Sequence, residues 1–256
     1  MSLLTPKTEK VAGQSLNTIK VLGVPVHSIV DVDILSLCHQ WMNDEGVHQI
    51  ITANPLLLLE CQNNRLLLQA CETASLVIND STGIEWASKK LKLPDLGRFP
   101  GIDFSYQLLK LCAKMGKSVY FLGGNLGVPE MTAKKLEAEI PGLKVVGTHH
   151  GYFTAQEKES ILRNIHLLKP SLVLVGLGMP RQDVWIYEHL KKLSPAIYIG
   201  IGGCFDVWSG KLKRAPKWMQ IYGFEWIFRL FQEPSRFLRM IKLPFFVLRV
   251  LKQSFF

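Results

Sequence analysis

The chain reads as an α/β protein: a Rossmann-like, mostly parallel sheet with helices on both faces, followed by a basic, aromatic helical appendage at the C-terminus. Three observations lead there. Short β-branched runs alternate with helical patterns along the first 210 residues, the pattern of a parallel sheet built from strand–helix units. Two of the runs, LVLVGLG and IYIGIGG, are apolar throughout instead of alternating, as strands covered on both faces are. The charge is also uneven. From Lys211 to Phe256 there are ten Lys/Arg against two acids, so this segment carries +8 of the net +9 and the preceding residues are nearly neutral.

In chain order, residues 1–16 read as a polar leader with no apolar stretch or cleavage-like site, so not a signal peptide. Strands are expected at 19–22, 48–53, 75–79, 118–122, 144–147, 171–176 and 196–200. Helices are expected at about 31–43, 55–74 with a break near Asn63, 83–91, 102–115, 128–140, 155–168 and 180–193. Together, residues 17–210 form the expected core and 211–256 the appendage. Within the appendage, Pro216 can open a helix through WMQIYGFEWIFRLF, and Pro234 a second through SRFLRMIK. The last stretch, LPFFVLRVLKQSFF, is too short to span a ~30 Å hydrocarbon core. It either lies in a membrane interface, with Arg249 and Lys252 at headgroup level, or packs on the main domain.

Composition excludes several classes. At 48% hydrophobic and 20% charged, the chain is globular and not disordered. No apolar run reaches the length of a membrane-spanning helix, which makes a cytoplasmic location the expectation. Cys38, Cys61, Cys71, Cys112 and Cys204 form no CxxC and no zinc spacing, so reduced, buried thiols are expected. There is no G-x-x-x-x-G-K-[ST], and Gly200-Ile-Gly-Gly lacks the full dinucleotide spacing, which argues against a P-loop NTPase or a nicotinamide enzyme.

Three expected strands end in glycine: at Gly123 and Gly124, at Gly176 and Gly178, and at Gly200, Gly202 and Gly203, with Asp206 just beyond. Ligands of open α/β sheets sit beyond the carboxyl ends of the strands, and glycine there lets backbone N–H groups approach a phosphate. One such turn is only a tight turn; three together point to a nucleotide or other phosphate-bearing ligand. Asp80 closes the apolar run LVIND, where a carboxylate can take a proton from a hydroxyl. Its alternative role is a helix cap, by Asp80 or Ser81. Thr52 and Asn54 end another strand before Pro55 and read either as sugar-orienting groups or, for Asn54, as a cap. Arg98 can pair with a phosphate, and Asp103 can cap the helix after it. Gln182 and Asp183 fall in the first turn of a helix near the same edge. His149–His150 reads as a loop feature and not a metal site. Arg236 and Arg239 are helical i, i+3 neighbours, and with Arg229 they suit a diphosphate, because guanidinium forks bind its oxygens bidentately. A solvated basic face is the alternative.

These residues fall inside motifs that resemble the WecG/TagA/CpsF glycosyltransferases: TANP at 52–55, INDSTGIEWA at 78–87, GRFPGIDF at 97–104, FLGG at 121–124, GLGMPRQDVWI at 176–186, GIGGCFDVWSGKLKRAPKWM at 200–219 and GFEWIFRLFQEPSRFLR at 223–239. The resemblance runs from about Ile19 to Met240. It implies an inverting transferase with no metal and no cofactor. The donor would be a UDP-sugar, N-acetylmannosamine or its uronic acid, and the acceptor a polyprenyl-diphosphate-linked N-acetylglucosamine at the inner face of the cell membrane. Such enzymes serve teichoic acid and related surface polymers. The resemblance puts the base on Asp80, the polar pair on Thr52 and Asn54, the glutamine on Gln182 and the tail arginines on Arg229, Arg236 and Arg239. It implies a membrane-surface partner and no nucleic acid, and leaves a homo-oligomer open. Where the family commonly reads Pro-Asp-Gly-x-Gly, this chain has Asn79-Asp80-Ser81-Thr82-Gly83, and Ala53 replaces the first proline of Thr-Pro-Asn-Pro. Two other readings stand beside this one. A nucleic-acid-binding module would bind with steep salt dependence. A non-catalytic nucleotide-sugar-binding protein would bind UDP without releasing it from a donor.

Overall fold

The computed structural model describes residues 8–11 and 14–255, with the side chains of residues 8–11, 14, 15, 236 and 255 excepted. Of the expected leader, residues 1–7, 12 and 13 lie outside the described residues. The elements in order are β1 (Thr8–Val11), β2 (Gln14–Val21), β3 (Val24–His27), α1 (Ile34–Trp41), β4 (Val47–Ala53), α2 (Pro55–Cys61), α3 (Arg65–Thr73), β5 (Leu76–Asn79), α4 (Thr82–Lys90), α5 (Gly101–Met115) and β6 (Ser118–Gly123). There follow α6 (Val128–Glu139), β7 (Lys144–His149), α7 (Ala155–Leu168), β8 (Leu172–Gly176), α8 (Arg181–His189), β9 (Ala196–Gly200), α9 (Cys204–Trp208), α10 (Lys217–Ile221), α11 (Glu225–Gln232), a 3₁₀ turn (Pro234–Arg236), α12 (Phe237–Met240) and α13 (Leu243–Phe255).

The fold is mixed α/β, with a six-stranded sheet in the order β5-β4-β9-β8-β6-β7 and its helices around it, as the alternating pattern predicts. The pairings β4–β9, β9–β8, β8–β6 and β6–β7 are parallel. The chain divides into two compact units: residues 34–51 with 101–213, and residues 1–33 with 52–100 and 214–256.

The 34–51/101–213 unit holds the glycine-ended strands. Tyr120, Leu122, Val173, Val175 and Tyr198 alternate onto one face and meet Ile161, Leu162 and Ile165 of α7 and Trp185 and Ile186 of α8 in a buried cluster. Val119, Phe121, Leu172, Leu174, Ile197 and Ile199 occupy the intervening strand positions and are also fully buried. Burial on both sides is why these runs contain no polar residue. The ring of Phe121 lies 5.1 Å from that of Phe205 on α9, and Thr132 of α6 donates to the Phe205 carbonyl.

The other unit contains the antiparallel meander β1–β2–β3, of which only residues 19–22 were expected as strand. Polar residues such as Asn17, Thr18 and Lys20 interrupt this stretch, so its pattern is weak in sequence, while Leu16, Ile19, Val21, Val24 and Val26 fill its buried side. The break expected near Asn63 is present: Gln62 to Asn64 separate α2 from α3, and Asn64 caps α3 by accepting from the Leu67 N–H. The continuous helix expected after Pro216 is instead split into α10 and α11. Gly223 sits between them at φ +77°, a left-handed turn that ends one helix before the next begins. The helix expected after Pro234 begins as a 3₁₀ turn.

The final stretch forms α13 and divides its faces. Phe246 (2% exposed) and Val250 are buried, with Phe246 tilted against Trp86 of α4 at 6.4 Å between ring centroids, and α13 packs on α2 and α4. Lys242 pairs with Glu60 at 3.7 Å, and Arg249 donates to Gln62 at 3.4 Å. Phe245 and Leu248 on the same helix remain exposed. Removing a buried ring typically costs about 3–5 kcal/mol. Phe246→Ala is therefore expected to loosen α13 locally, so amide exchange along α13 quickens while that of β6 and β8 stays slow.

Candidate active site

Of the four catalytic candidates, Thr52, Asn54 and Asp80 lie in the 1–33/52–100/214–256 unit with the nucleotide-binding candidate Arg98, and Gln182 lies in the other unit; backbone hydrogen bonds lace the segments of Thr52–Asn54, Asp80 and Arg98 together. The Asp80 N–H donates to the Ala53 carbonyl at 2.9 Å, which seats Asp80 beside the residue between Thr52 and Asn54. The Phe99 N–H donates to the Asn79 carbonyl at 3.0 Å. The buried Asn79 side chain donates from Nδ2 to the Gly97 carbonyl at 3.0 Å and accepts the Ser81 N–H on Oδ1 at 2.9 Å. The base candidate, the polar pair and the arginine thus stand on adjoining stretches of backbone.

The capping alternatives resolve residue by residue. Ser81, not Asp80, caps α4, accepting the Ile84 N–H on Oγ. Asn54 does cap α2: its Oδ1 accepts the N–H groups of Leu56 and Leu57, with Pro55 at the first helical position. That cap uses the oxygen alone, so Asn54 can be both cap and amide donor. Asp103 lies within the first turn of α5 and not at its cap. Arg98 is not bare: its Nε stands 3.6 Å from Oε2 of Glu85 on α4, both side chains partly exposed. An exposed pair of this kind is worth about 0–1 kcal/mol, so it orients the guanidinium more than it stabilises the fold.

The tail arginines belong to the same unit. Arg229 is partly buried on α11, and Arg239 is exposed on α12. Arg236 ends the 3₁₀ turn between them, and its side chain lies outside the described residues.

The nucleotide candidates Gly123, Gly124, Gly178, Gly202, Gly203 and Asp206, with Gln182, fall in the other unit. Here the carboxyl ends of β6, β8 and β9 are tied by their own main chain. Gly124 N–H donates to the Gly176 carbonyl at 3.1 Å, and Ile201 N–H to the Val175 carbonyl at 2.9 Å. Gly123 has φ +134° and lies so close to the Gly176 backbone that a Cβ would overlap it, so no other residue fits there. Gln182 is buried at the start of α8 and accepts the Gly202 N–H on Oε1 at 2.9 Å, which shapes the β9 turn. Gly203 precedes α9, and Asp206, in the first turn of α9, faces Lys211 at 4.0 Å.

Two features at this edge were named in the sequence, as the His149–His150 loop and Asp183, without the roles the structure gives them. The loop after β7 folds over the Gly124 turn through a Gly151 N–H bond to the Gly124 carbonyl at 2.8 Å. It leaves Tyr152 70% exposed, with Phe153 beneath the Arg181 guanidinium at 5.1 Å. The His149 and His150 rings contact each other at 4.6 Å, and among the described residues no group of three or more His, Cys, Asp or Glu side chains is placed to hold a metal ion. Beyond the histidine pair, a GYF tripeptide after a strand was the only trace of this loop in the sequence.

The second feature is Asp183, next to Gln182. Its backbone carbonyl accepts from Gln49 Nε2 at 2.9 Å, and its carboxyl is buried with no full hydrogen bond to either oxygen. Burial pushes the carboxyl up to about 7, against weaker opposing help from its own backbone and the Gln182 amide. Because the folded value lies above the unfolded one, the native state retains a proton that the unfolded chain releases. The stabilising contribution is complete below the ordinary carboxylate range and is lost as pH rises through about 7. Thermal melts of the native chain are expected to fall as pH is raised from 4 to 8, and the Asp183→Asn variant is expected to lack that part of the fall.

Against known proteins, residues 19–256 match the model of the glycosyl transferase WecG/TagA/CpsF family. A curated relative from Staphylococcus aureus strain MW2, named N-acetylglucosaminyldiphosphoundecaprenol N-acetyl-beta-D-mannosaminyltransferase, is 30% identical over 240 residues, covering 92% of this chain and 94% of the relative. Its counterparts of the same name from strains NCTC 8325 / PS 47 and COL match to the same extent.

Proposed function

The chain belongs to the glycosyl transferase WecG/TagA/CpsF family, and on that premise we propose that it transfers N-acetylmannosamine, or its uronic acid, from a UDP-sugar to a polyprenyl-diphosphate-linked N-acetylglucosamine, with inversion and without a metal. The observation that carries this reading is the lacing of Thr52–Asn54, Asp80 and Arg98 through Ala53 and Asn79. The names of the relatives supply the acceptor class and the sugar.

On this reading, Asp80 accepts the proton from the acceptor hydroxyl while that oxygen attacks the anomeric carbon. The bond to the UDP oxygen breaks on the opposite side, and UDP leaves with the electron pair. The amide of Asn54 and the hydroxyl of Thr52 orient the sugar hydroxyls. Arg98 and the tail arginines Arg229, Arg236 and Arg239 meet diphosphate charge, where guanidinium forks match phosphate oxygens. The glycine turns at Gly123–Gly124, Gly178 and Gly202–Gly203, with Gln182 and Asp206, hold the nucleotide, and Tyr152 offers an exposed ring to its base. The function divides with the chain: 17–210 for donor and chemistry, 211–256 for the lipid side.

Association with the inner membrane surface belongs to the same proposal. No helix among the described residues is long and apolar enough to cross a membrane. The appendage nevertheless exposes Phe231 (81%) and Leu238 (75%) along with Phe237, Ile241, Phe245 and Leu248, in a segment of net charge +8. Large exposed apolar groups mixed with cations suit the headgroup boundary of an anionic bilayer.

A donor panel incubated with a short-chain lipid-diphosphate N-acetylglucosamine analogue tests the reading, with UDP release as the readout. UDP-N-acetylmannosamine or its uronic acid is expected to give release only when the acceptor is present. General-base help is worth roughly 10²–10⁴-fold, so Asp80→Asn is expected to lose that much turnover while melting as the native chain does. Near-native transfer by this variant would refute the assignment. Flotation with anionic liposomes is expected to carry the native chain and to release Phe245→Ser/Leu248→Ser, and equal flotation of both would remove the membrane from the account.

A further inference from the structure

We propose that Asn79 is a positioning residue for the transfer, fixing Arg98 relative to Asp80 by holding the backbone on both sides of the arginine to the strand end that carries the base. This rests on the proposed roles of Asp80 and Arg98.

Arg98 lies on the irregular segment between α4 and α5, which has no ladder of its own. Its N-terminal half is anchored elsewhere in the same unit: Ser28 Oγ donates to the Asp95 carbonyl at 2.8 Å, and the Ile29 N–H donates to the Leu96 carbonyl at 2.9 Å. From Gly97 onward the anchor changes to Asn79. The residue before Arg98 accepts from the Asn79 side chain, and the residue after it donates to the Asn79 main chain. The remaining oxygen of the amide takes the N–H of Ser81, the residue that follows Asp80 and caps α4. One buried side chain therefore holds Ser81 on the far side of the base and Gly97 before the arginine, while the main chain of the same residue holds Phe99 after it. Glu85, on the helix that Ser81 caps, stands 3.6 Å from the guanidinium Nε.

The side chain must be an amide. Gly97 offers a carbonyl and needs a donor, while Ser81 offers an N–H and needs an acceptor. Asparagine supplies both at this length, whereas aspartate supplies no donor when ionised and alanine supplies neither. The site is fully buried, so water does not replace the lost partners easily.

A displacement of about 1 Å in a catalytic group can cost 10²-fold in rate. In the full chain, with UDP release from UDP-N-acetylmannosamine as readout, Asn79→Ala is expected to lower kcat about 10–100-fold and to leave KM within about threefold. The discriminating measurement is the double-mutant cycle with Arg98→Ala. If Asn79 acts through Arg98, adding Asn79→Ala to Arg98→Ala lowers kcat by less than about threefold further. Should Asn79→Ala not fold, Asn79→Ser carries the same cycle, since a short hydroxyl does not span to Gly97. Multiplicative losses in the cycle, or native kcat in the single variant, overturn the inference while leaving the function reading intact. Native rates in Arg98→Ala overturn the arginine's role and the inference together.

Discussion

A β-strand must end, and the polar groups of the backbone released at its end must find partners. In this protein that constraint shapes the candidate residues within each of the two units. In one unit, the ends of β4 and β5 are closed by Asp80 N–H to Ala53 and by Phe99 N–H to Asn79, and these closures bring the catalytic candidates side by side. In the other, the ends of β6, β8 and β9 are closed by Gly124 N–H to Gly176, Ile201 N–H to Val175 and Gly202 N–H to Gln182. The first adds the buried Asn79 side chain, which bonds Gly97 and Ser81, and the second combines glycine and close backbone contact with the buried Gln182 amide. The difference decides what each edge can present. The first solution leaves charged side chains displayed beside it. The second solution leaves a surface of main chain with little side-chain bulk, suited to a phosphate or a ring laid across it.

Most of the sheet was legible because burial on both faces writes itself into the sequence. Strands such as Leu172–Gly176 admit no polar residue, and their period cannot be mistaken for a surface helix. The meander at Gln14–His27 was legible only in part, because a one-sided antiparallel strand carries polar residues and its turn, Leu22–Gly23, is a dipeptide of little signal. Asp80, Thr52 and Asn54 could be picked out because they end apolar runs. Ending strands also placed them at one edge, but the bonds that join them could not be read, since they cross gaps of more than 15 residues, such as Asn79 to Gly97. Asn79 itself stood out in the sequence only as a departure from the commoner proline, a residue that has no side-chain donor and could not hold Gly97.

The appendage shows why charge and hydropathy together were informative and separately ambiguous. A helix such as Leu243–Phe255, with apolar residues on more than one side, reads equally well as buried or as membrane-facing. The structure buries one face and exposes another. Phe246 and Val250 commit one face to α2 and α4, and Phe245 and Leu248 leave another in solvent. The cations follow the same division. Lys242 and Arg249 are engaged with Glu60 and Gln62, so they serve the docking of the helix before they serve any external anion.

The two units also differ in how they handle negative charge. The 1–33/52–100/214–256 unit contains the tail arginines and Arg98, so on the proposed function a diphosphate would meet full positive charges there. The candidates of the other unit are main-chain N–H groups and an amide, with Asp206 facing Lys211 and Asp183 buried next to Gln182. An ionised carboxylate at the start of α8 would favour the helix dipole but would also repel a diphosphate laid on the same edge. Burial resolves the conflict by holding Asp183 up to about 7, so near neutral pH it carries less charge than an ordinary aspartate. On the proposed function, a nucleotide that must depart after transfer is better served by this less charged edge than by arginines that would retain it. A lipid acceptor, held on the same proposal by its membrane as well, can be gripped by charge at one diphosphate without being trapped, because salt screens a cation that solvent reaches, as it reaches Arg239.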